Sequence, residues 1–223
     1  MIVANKNDLK KYTAEFIGTF ALVFCGTAAI IVNEQMNGAV SHSGIAIVFG
    51  AIVTVMILAF GDISGAHFNP AVTIGFVFLN KLGKGKMFYY ILSQLSGAIF
   101  ASMILRVLFP GNKLLGTTVP SGSPVQSFVL EFLLTFFLML VIIKVSTGSK
   151  EKGMLAAFAV GFTVLLEAMF AGPVSGASMN PARSLAPALI SGHLKYLWVY
   201  IFAPLSGALF ALPVCKFTSL SNQ

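Results

Sequence analysis

The sequence predicts an all-α membrane protein with six transmembrane helices and two half-length helices, laid out as an inverted repeat. Three observations lead there. Of 223 residues, 57% are hydrophobic and only 9% charged, with a mean hydropathy of +0.90; a soluble domain carries roughly a quarter charged residues. The apolar residues gather into six continuous runs, and the two halves of the chain repeat the same words.

The runs are Thr13–Val32, Ile45–Phe60, Met87–Phe109, Val125–Val145, Met154–Ala171 and Tyr196–Val214. Each reaches or approaches the roughly 20 residues that carry a helix across about 30 Å of hydrocarbon. They are continuous rather than alternating with a period of two, which selects helices over barrel strands. The polar start, Met1 to Lys11, precedes a run too long for a signal-peptide core and lacking a small-x-small cleavage site, so the first run is expected to stay as a helix. Cys25 and Cys215 fall in or at the ends of distant helices and are expected as buried thiols, not a disulfide.

The formal charge of +7 does not indicate a nucleic-acid partner, because of where it sits. Lys6, Lys10, Lys11, Lys81, Lys84, Lys86, Lys144, Lys150, Lys152 and Lys216 all fall on one side of a six-crossing chain. The other side holds Arg106, Lys113 and Lys195, so both termini are expected to be cytoplasmic.

Ser64-Gly65-Ala66-His67-Phe68-Asn69-Pro70-Ala71 returns as Ser175-Gly176-Ala177-Ser178-Met179-Asn180-Pro181-Ala182. Leu95-Ser96-Gly97-Ala98 returns as Leu205-Ser206-Gly207-Ala208, and Glu15-Phe16 with Thr19-Phe20 returns as Glu131-Phe132 with Thr135-Phe136. Three matches in the same order mean a duplication. Each copy has three crossings, an odd number, so the copies face opposite ways, with a pathway expected at their interface. The repeats are placed at approximately 10–109 and 125–216 of one transmembrane channel domain spanning 1–223, joined by the Gly/Pro/Ser-rich linker 110–124.

Asn69–Asn80 and Asn180–Ile190 are apolar but too short to span. Each opens with Asn-Pro, a helix-start signal: Asn caps well and Pro suits the first helical position. The expectation is two half-helices meeting at their N-termini in mid-bilayer. Each Asn oxygen would then accept a backbone N–H of its own helix, and its NH2 would face the lumen as a donor. A water accepting both donors cannot accept from the next water, and two helix N-termini add about half a positive charge each. Arg183, three residues after Asn180, is read as a cavity-facing cation that lines the narrowest point, with a tie to loop carbonyls as the alternative.

The paired Asn-Pro-Ala boxes, Asn69–Thr73 and Asn180–Ser184, resemble those of the aquaporin (major intrinsic protein) family over nearly the whole chain. Gly44–Gly50 and Gly172–Leu185 look most like the nodulin-26-like branch and its bacterial relatives. The resemblance implies an aquaporin-like right-handed bundle, no cofactor or metal, and a homotetramer in the lipid of a plasma or inner membrane. It implies pore residues Asn69, Pro70, Ala71, Asn180, Pro181 and Ala182, and a constriction of Phe49, Ala168, Ala177 and Arg183. Water-selective members carry His at the position of Ala168, so a wider, more apolar opening is implied. Such an opening admits glycerol and neutral metalloid hydroxides such as boric or arsenous acid. Two departures, Ser184 in place of Asp and Phe49 in place of Trp, leave a strictly water-selective channel open as the alternative.

Glu15 and Glu131 are carboxyls inside apolar helices and must be partnered; the resemblance implies that they support the loops before the half-helices. His67 offers either a ring nitrogen or a packed carbonyl contact to the same loop. Asp62 reads as a solvated helix-end carboxylate rather than a gate. Glu167 points about 100° away from Ala168 around its helix. It is read as touching a neighbouring helix or subunit; the sharper alternative has it reach Arg183 and make conductance pH-dependent. His42 and His193 are read as lying just outside helix ends. A coupled secondary transporter would need a titratable midplane cluster where this chain offers two asparagines. No catalytic triad or paired ligand set appears with coherent spacing, so an enzyme is not expected.

Overall fold

The computed structural model describes residues 6–147 and 154–218. Eight helices form there: α1 (Lys6–Gln35), α2 (Ser41–Ser64), α3 (Pro70–Phe78), α4 (Lys84–Leu108), α5 (Pro124–Thr147), α6 (Met154–Ser175), α7 (Pro181–Ser191) and α8 (Leu197–Phe217). All but α3 and α7 are long and apolar enough to cross a membrane. With 9 and 11 residues, α3 and α7 reach only about halfway. Six crossings put the start of α1 and the end of α8 on one face, here the terminal face, opposite the distal face.

The helices overrun the apolar runs at their polar ends; α1, for instance, begins at Lys6 and ends at Gln35. Backbone hydrogen bonding continues past the point where side chains need to be apolar. Two boundaries differ from expectation for local reasons. Asn80 lies outside α3 with a left-handed φ of 57°, and Pro124 opens α5 rather than closing the linker, because its missing N–H costs nothing there. Lys150 and Lys152 lie outside the described residues. Cys215 is buried, whereas Cys25 is only half-buried.

The core is mainly apolar, but it also encloses large polar side chains, and the exterior is apolar too. Glu15, Glu131, Gln94 and Arg183 are among the largest fully enclosed side chains, while Phe100, Phe137, Phe158, Phe170, Phe202 and Phe210 are exposed. Such an apolar exterior fits lipid as the outer solvent.

The repeated words are two sides of one helix seam. A Cβ on Gly97 would lie 2.3 Å from the Phe16 carbonyl, and one on Gly207 would lie 2.2 Å from that of Phe132, so no side chain fits at either place. Thr19 and Thr135 turn their hydroxyls back to the carbonyls of Glu15 (2.7 Å) and Glu131 (2.8 Å). Close glycine-mediated approach is how helices associate where no hydrophobic effect drives them together. A third seam joins α2 to α6, where a Cβ on Gly50 would meet the Gly161 carbonyl at 2.6 Å. The half-helices α3 and α7 are each braced by α4 and α8, one helix from each repeat.

Candidate functional site: a pore between the two repeats

Two loops, 65–69 and 176–180, carry the chain from α2 into α3 and from α6 into α7. In each, a left-handed glycine ends the long helix: Gly65 (φ 85°) and Gly176 (φ 88°), with N–H bonds of 2.9 Å to Gly61 and Gly172. Left-handed non-glycine residues follow in matching places, Ala66 and Phe68 in one loop and Ala177 and Met179 in the other. Non-glycine residues rarely adopt this conformation, and it persists only where the surroundings fix it.

What fixes it is a buried carboxyl in each repeat. Glu15 accepts from the Ser64 hydroxyl (2.7 Å), the backbone N–H groups of His67 (2.9 Å) and Phe68 (2.7 Å), and the Gln94 amide (2.8 Å). Glu131 accepts from the Ser175 hydroxyl (2.8 Å) and the N–H groups of Ser178 (2.9 Å) and Met179 (2.8 Å). The scaffold continues with Tyr90 and Tyr200, which donate to the carbonyls of Ser64 (2.8 Å) and Ser175 (2.7 Å). The His67 ring stacks on Phe76 at 4.6 Å and bonds Thr73 through Nδ1 at 3.1 Å; Ser178 bonds Ser184 at the matching place. Tyr90 and Tyr200 carry no motif of their own, although each stands five residues before a repeated Leu-Ser-Gly-Ala. Gln94 left no such signal, because Pro204 occupies its place in the second repeat.

Asn69 and Asn180 cap α3 and α7 from extended backbone. Asn69 Oδ1 accepts from Ala71 N–H at 2.9 Å, and Asn180 Oδ1 accepts from Ala182 N–H at 3.0 Å. Their NH2 groups differ from the expectation of donors devoted to the lumen. Asn69 Nδ2 donates to the Met179 carbonyl (2.7 Å) and Asn180 Nδ2 to the Phe68 carbonyl (2.9 Å). Each asparagine therefore spends one amide hydrogen on the opposite repeat and keeps one for the cavity that both line. Pro70, Ala71, Pro181 and Ala182 are buried at the junction.

That cavity, of about 150 Å³, is bounded near the terminal face by Val145, Ser146 and Ala156 and runs past the asparagines to Phe49, Ala177 and Arg183. Arg183 is only 2% exposed; it donates to the Gly116 carbonyl at 2.9 Å and lies 5.2 Å from the centre of the Phe49 ring. It is thus both tied to a loop carbonyl and turned to the lumen. Gly116 has no signature in the sequence, because its part is played by a backbone carbonyl. Ala168 does not line this cavity; it is buried one helical turn beyond the lining residue Val164, on the same face of α6.

Glu167 is buried, and its Oε2 has no hydrogen-bond partner among the described residues. The expected alternative of a Glu167–Arg183 pair is not formed there. Asp62 is exposed near the end of α2. His42 lies inside the first turn of α2 rather than outside it.

An inverted repeat of membrane helices enclosing an apolar lumen with a few fixed donors defines a transmembrane channel for small uncharged molecules. The chain belongs to the major intrinsic protein family, whose model matches residues 2–214. Members of that family are channels for water and small neutral solutes, not enzymes. The chain is 46% identical over 215 residues to aquaporin NIP1-1 of Oryza sativa subsp. japonica, covering 95% of this chain and 76% of the relative. It is also 46% identical to nodulin-26 of Glycine max, over 90% of this chain and 74% of that protein. The X-ray structure of the aquaglyceroporin from Plasmodium falciparum superposes with a TM-score of 0.84 at 27% identity, covering 94% of this chain and 95% of the other.

Proposed function

We propose that the pore passes glycerol and neutral metalloid hydroxides such as boric or arsenous acid as well as water, and excludes protons and ions. Phe49, Ala168, Ala177 and Arg183 form its size-selecting constriction. Asn69 and Asn180 orient whatever passes between the half-helices, with Pro70, Ala71, Pro181 and Ala182 packing their first turns. Glu15, Glu131 and His67 hold the loops that aim them. The assembly is a homotetramer in the lipid of a plasma or inner membrane, with both termini cytoplasmic. The chain works as one channel domain, 1–223, with repeats of approximately 10–109 and 125–216 and the linker 110–124 on the outside.

The observation that carries this reading is the small, apolar end of the lumen away from the chain termini: the Phe49 ring, Ala177 and one held guanidinium, with Ala168 buried behind them. A solute with a polar edge and a greasy edge matches such walls; an ion finds too few ligands there to replace its water. Proton exclusion follows from the donor pair and the two helix N-termini facing one point. This electrostatic arrangement is general to aquaporin-type pores rather than peculiar to this chain.

The test is stopped-flow light scattering on reconstituted vesicles challenged with water, glycerol and boric acid gradients. Ala168→His is expected to lose glycerol and boric acid flux while keeping water flux, and Phe49→Trp to shift the same balance. Solute flux unaltered by both substitutions contradicts the constriction.

A further inference from the structure

α6 contains a proline in its interior, Pro173. Proline has no N–H, so the carbonyl four residues earlier, that of Met169, loses its partner within the helix. His42 supplies one from another helix: its Nε2 lies 2.6 Å from the Met169 oxygen. A carbonyl can only accept, so this nitrogen carries the hydrogen. The residue before the proline makes the contact possible. A Cβ on Gly172 would lie 2.7 Å from His42 Cε1, so a side chain there would displace the imidazole. Proline opens the acceptor and glycine clears the space for the donor.

The position of this bond matters. His42 is in the first turn of α2, seven residues and about two turns above Phe49 on the same face. Met169 directly follows Ala168. Lower down, the same two helices touch backbone to backbone at Gly50 and Gly161. α2 and α6 are therefore fastened at two levels, His42–Met169 and Gly50–Gly161, and both Phe49 and Ala168 lie between them.

We propose that His42 is a positioning residue for the pore: by bonding the carbonyl that Pro173 frees, it holds the distal ends of α2 and α6 together and so sets the spacing of Phe49 and Ala168, and with it the size limit for solutes. The inference rests on the reading of those two residues as constriction walls. His42 itself need not touch the solute.

The decisive comparison is the glycerol-to-water permeability ratio of reconstituted wild type, His42→Leu, His42→Gln, Pro173→Ala, and the double variant His42→Leu/Pro173→Ala. Leucine fills the space without a donor, and the ratio should rise about threefold or more, the scale of one hydrogen bond. Glutamine returns an N–H donor and should restore the wild-type ratio. Pro173→Ala gives Met169 back its own helical partner, so adding His42→Leu should then change nothing. A ratio unmoved by His42→Leu overturns the proposal, as does an equal effect of His42→Leu with and without Pro173. Should His42→Leu fail to fold, the double variant decides: folding with the ratio of Pro173→Ala supports the latch, and failure like the single variant's overturns it. Phe49→Trp and Ala168→His run alongside. If they move the ratio and the His42 set does not, the latch alone is wrong; if neither moves it, the constriction reading has failed.

Discussion

Glu131, fully buried, receives three donors, and Glu15, equally buried, receives four. Leaving a buried donor unmatched costs about 1–3 kcal/mol. Glu131→Ala strands two backbone N–H groups and a serine hydroxyl, so it is expected to destabilise the fold by about 3 kcal/mol or more. Thermal unfolding in detergent measures this as a lowered midpoint; an unchanged midpoint contradicts the bracing role. Gln94 supplies one of the Glu15 bonds and also donates to Thr73 at 2.8 Å. Gln94→Leu is accordingly predicted to cost about 1–3 kcal/mol, less than either glutamate change. Arg183 holds its place through Gly116, a backbone group that no substitution at position 116 deletes. Its side chain can be tested instead: Arg183→Val should leave the fold in place but raise conductance to small cations, read as dissipation of a potassium diffusion potential. Potassium permeability at the wild-type level would show that the cation barrier lies elsewhere.

Helices in this molecule are specified as much by missing side chains as by apolar ones. Gly26 on α1 faces the Phe49 ring so closely that a Cβ would lie 2.2 Å from it. Gly26→Ala must push that ring toward Arg183 and the lumen, and water permeability per channel should fall severalfold in stopped-flow. Gly111 is the control, since a Cβ there meets nothing within 4 Å and its φ is ordinary; Gly111→Ala should leave permeability as it was. Equal behaviour of the two variants would remove Phe49 from the narrow part of the pore. The six long helices were legible from hydropathy alone because length in an apolar run is what a bilayer selects. Their ends were less so: the polar turns of α1 and Ser41–Gly44 of α2 continue the helix where no hydrophobic signal exists. The half-helices were legible for a different reason, since Asn-Pro states both the cap and the first residue.

At the scale of the whole molecule, duplication makes the pore: each half supplies one short helix, one bracing carboxyl and one tyrosine, and neither half closes the lumen alone. The sequence showed the duplication through its repeated words and so indicated which residues meet at the centre. What it could not show were contacts made by groups without a residue signature. The carbonyls of Phe68 and Met179 take one hydrogen of each asparagine, and those of Gly116 and Met169 hold Arg183 and His42. Such acceptors are set by backbone conformation, which the fold fixes only after the helices have packed. The cross-repeat bonds leave each asparagine one hydrogen for the lumen; on the proposed reading, that hydrogen orients a passing molecule and breaks the proton relay. The most direct test of that central point follows water or glycerol flux and proton flux in the same proteoliposomes, with the protein-to-lipid ratio varied. Neutral-solute flux should rise in proportion to protein while proton flux stays at the level of protein-free lipid; proton flux rising in step with protein would contradict the account.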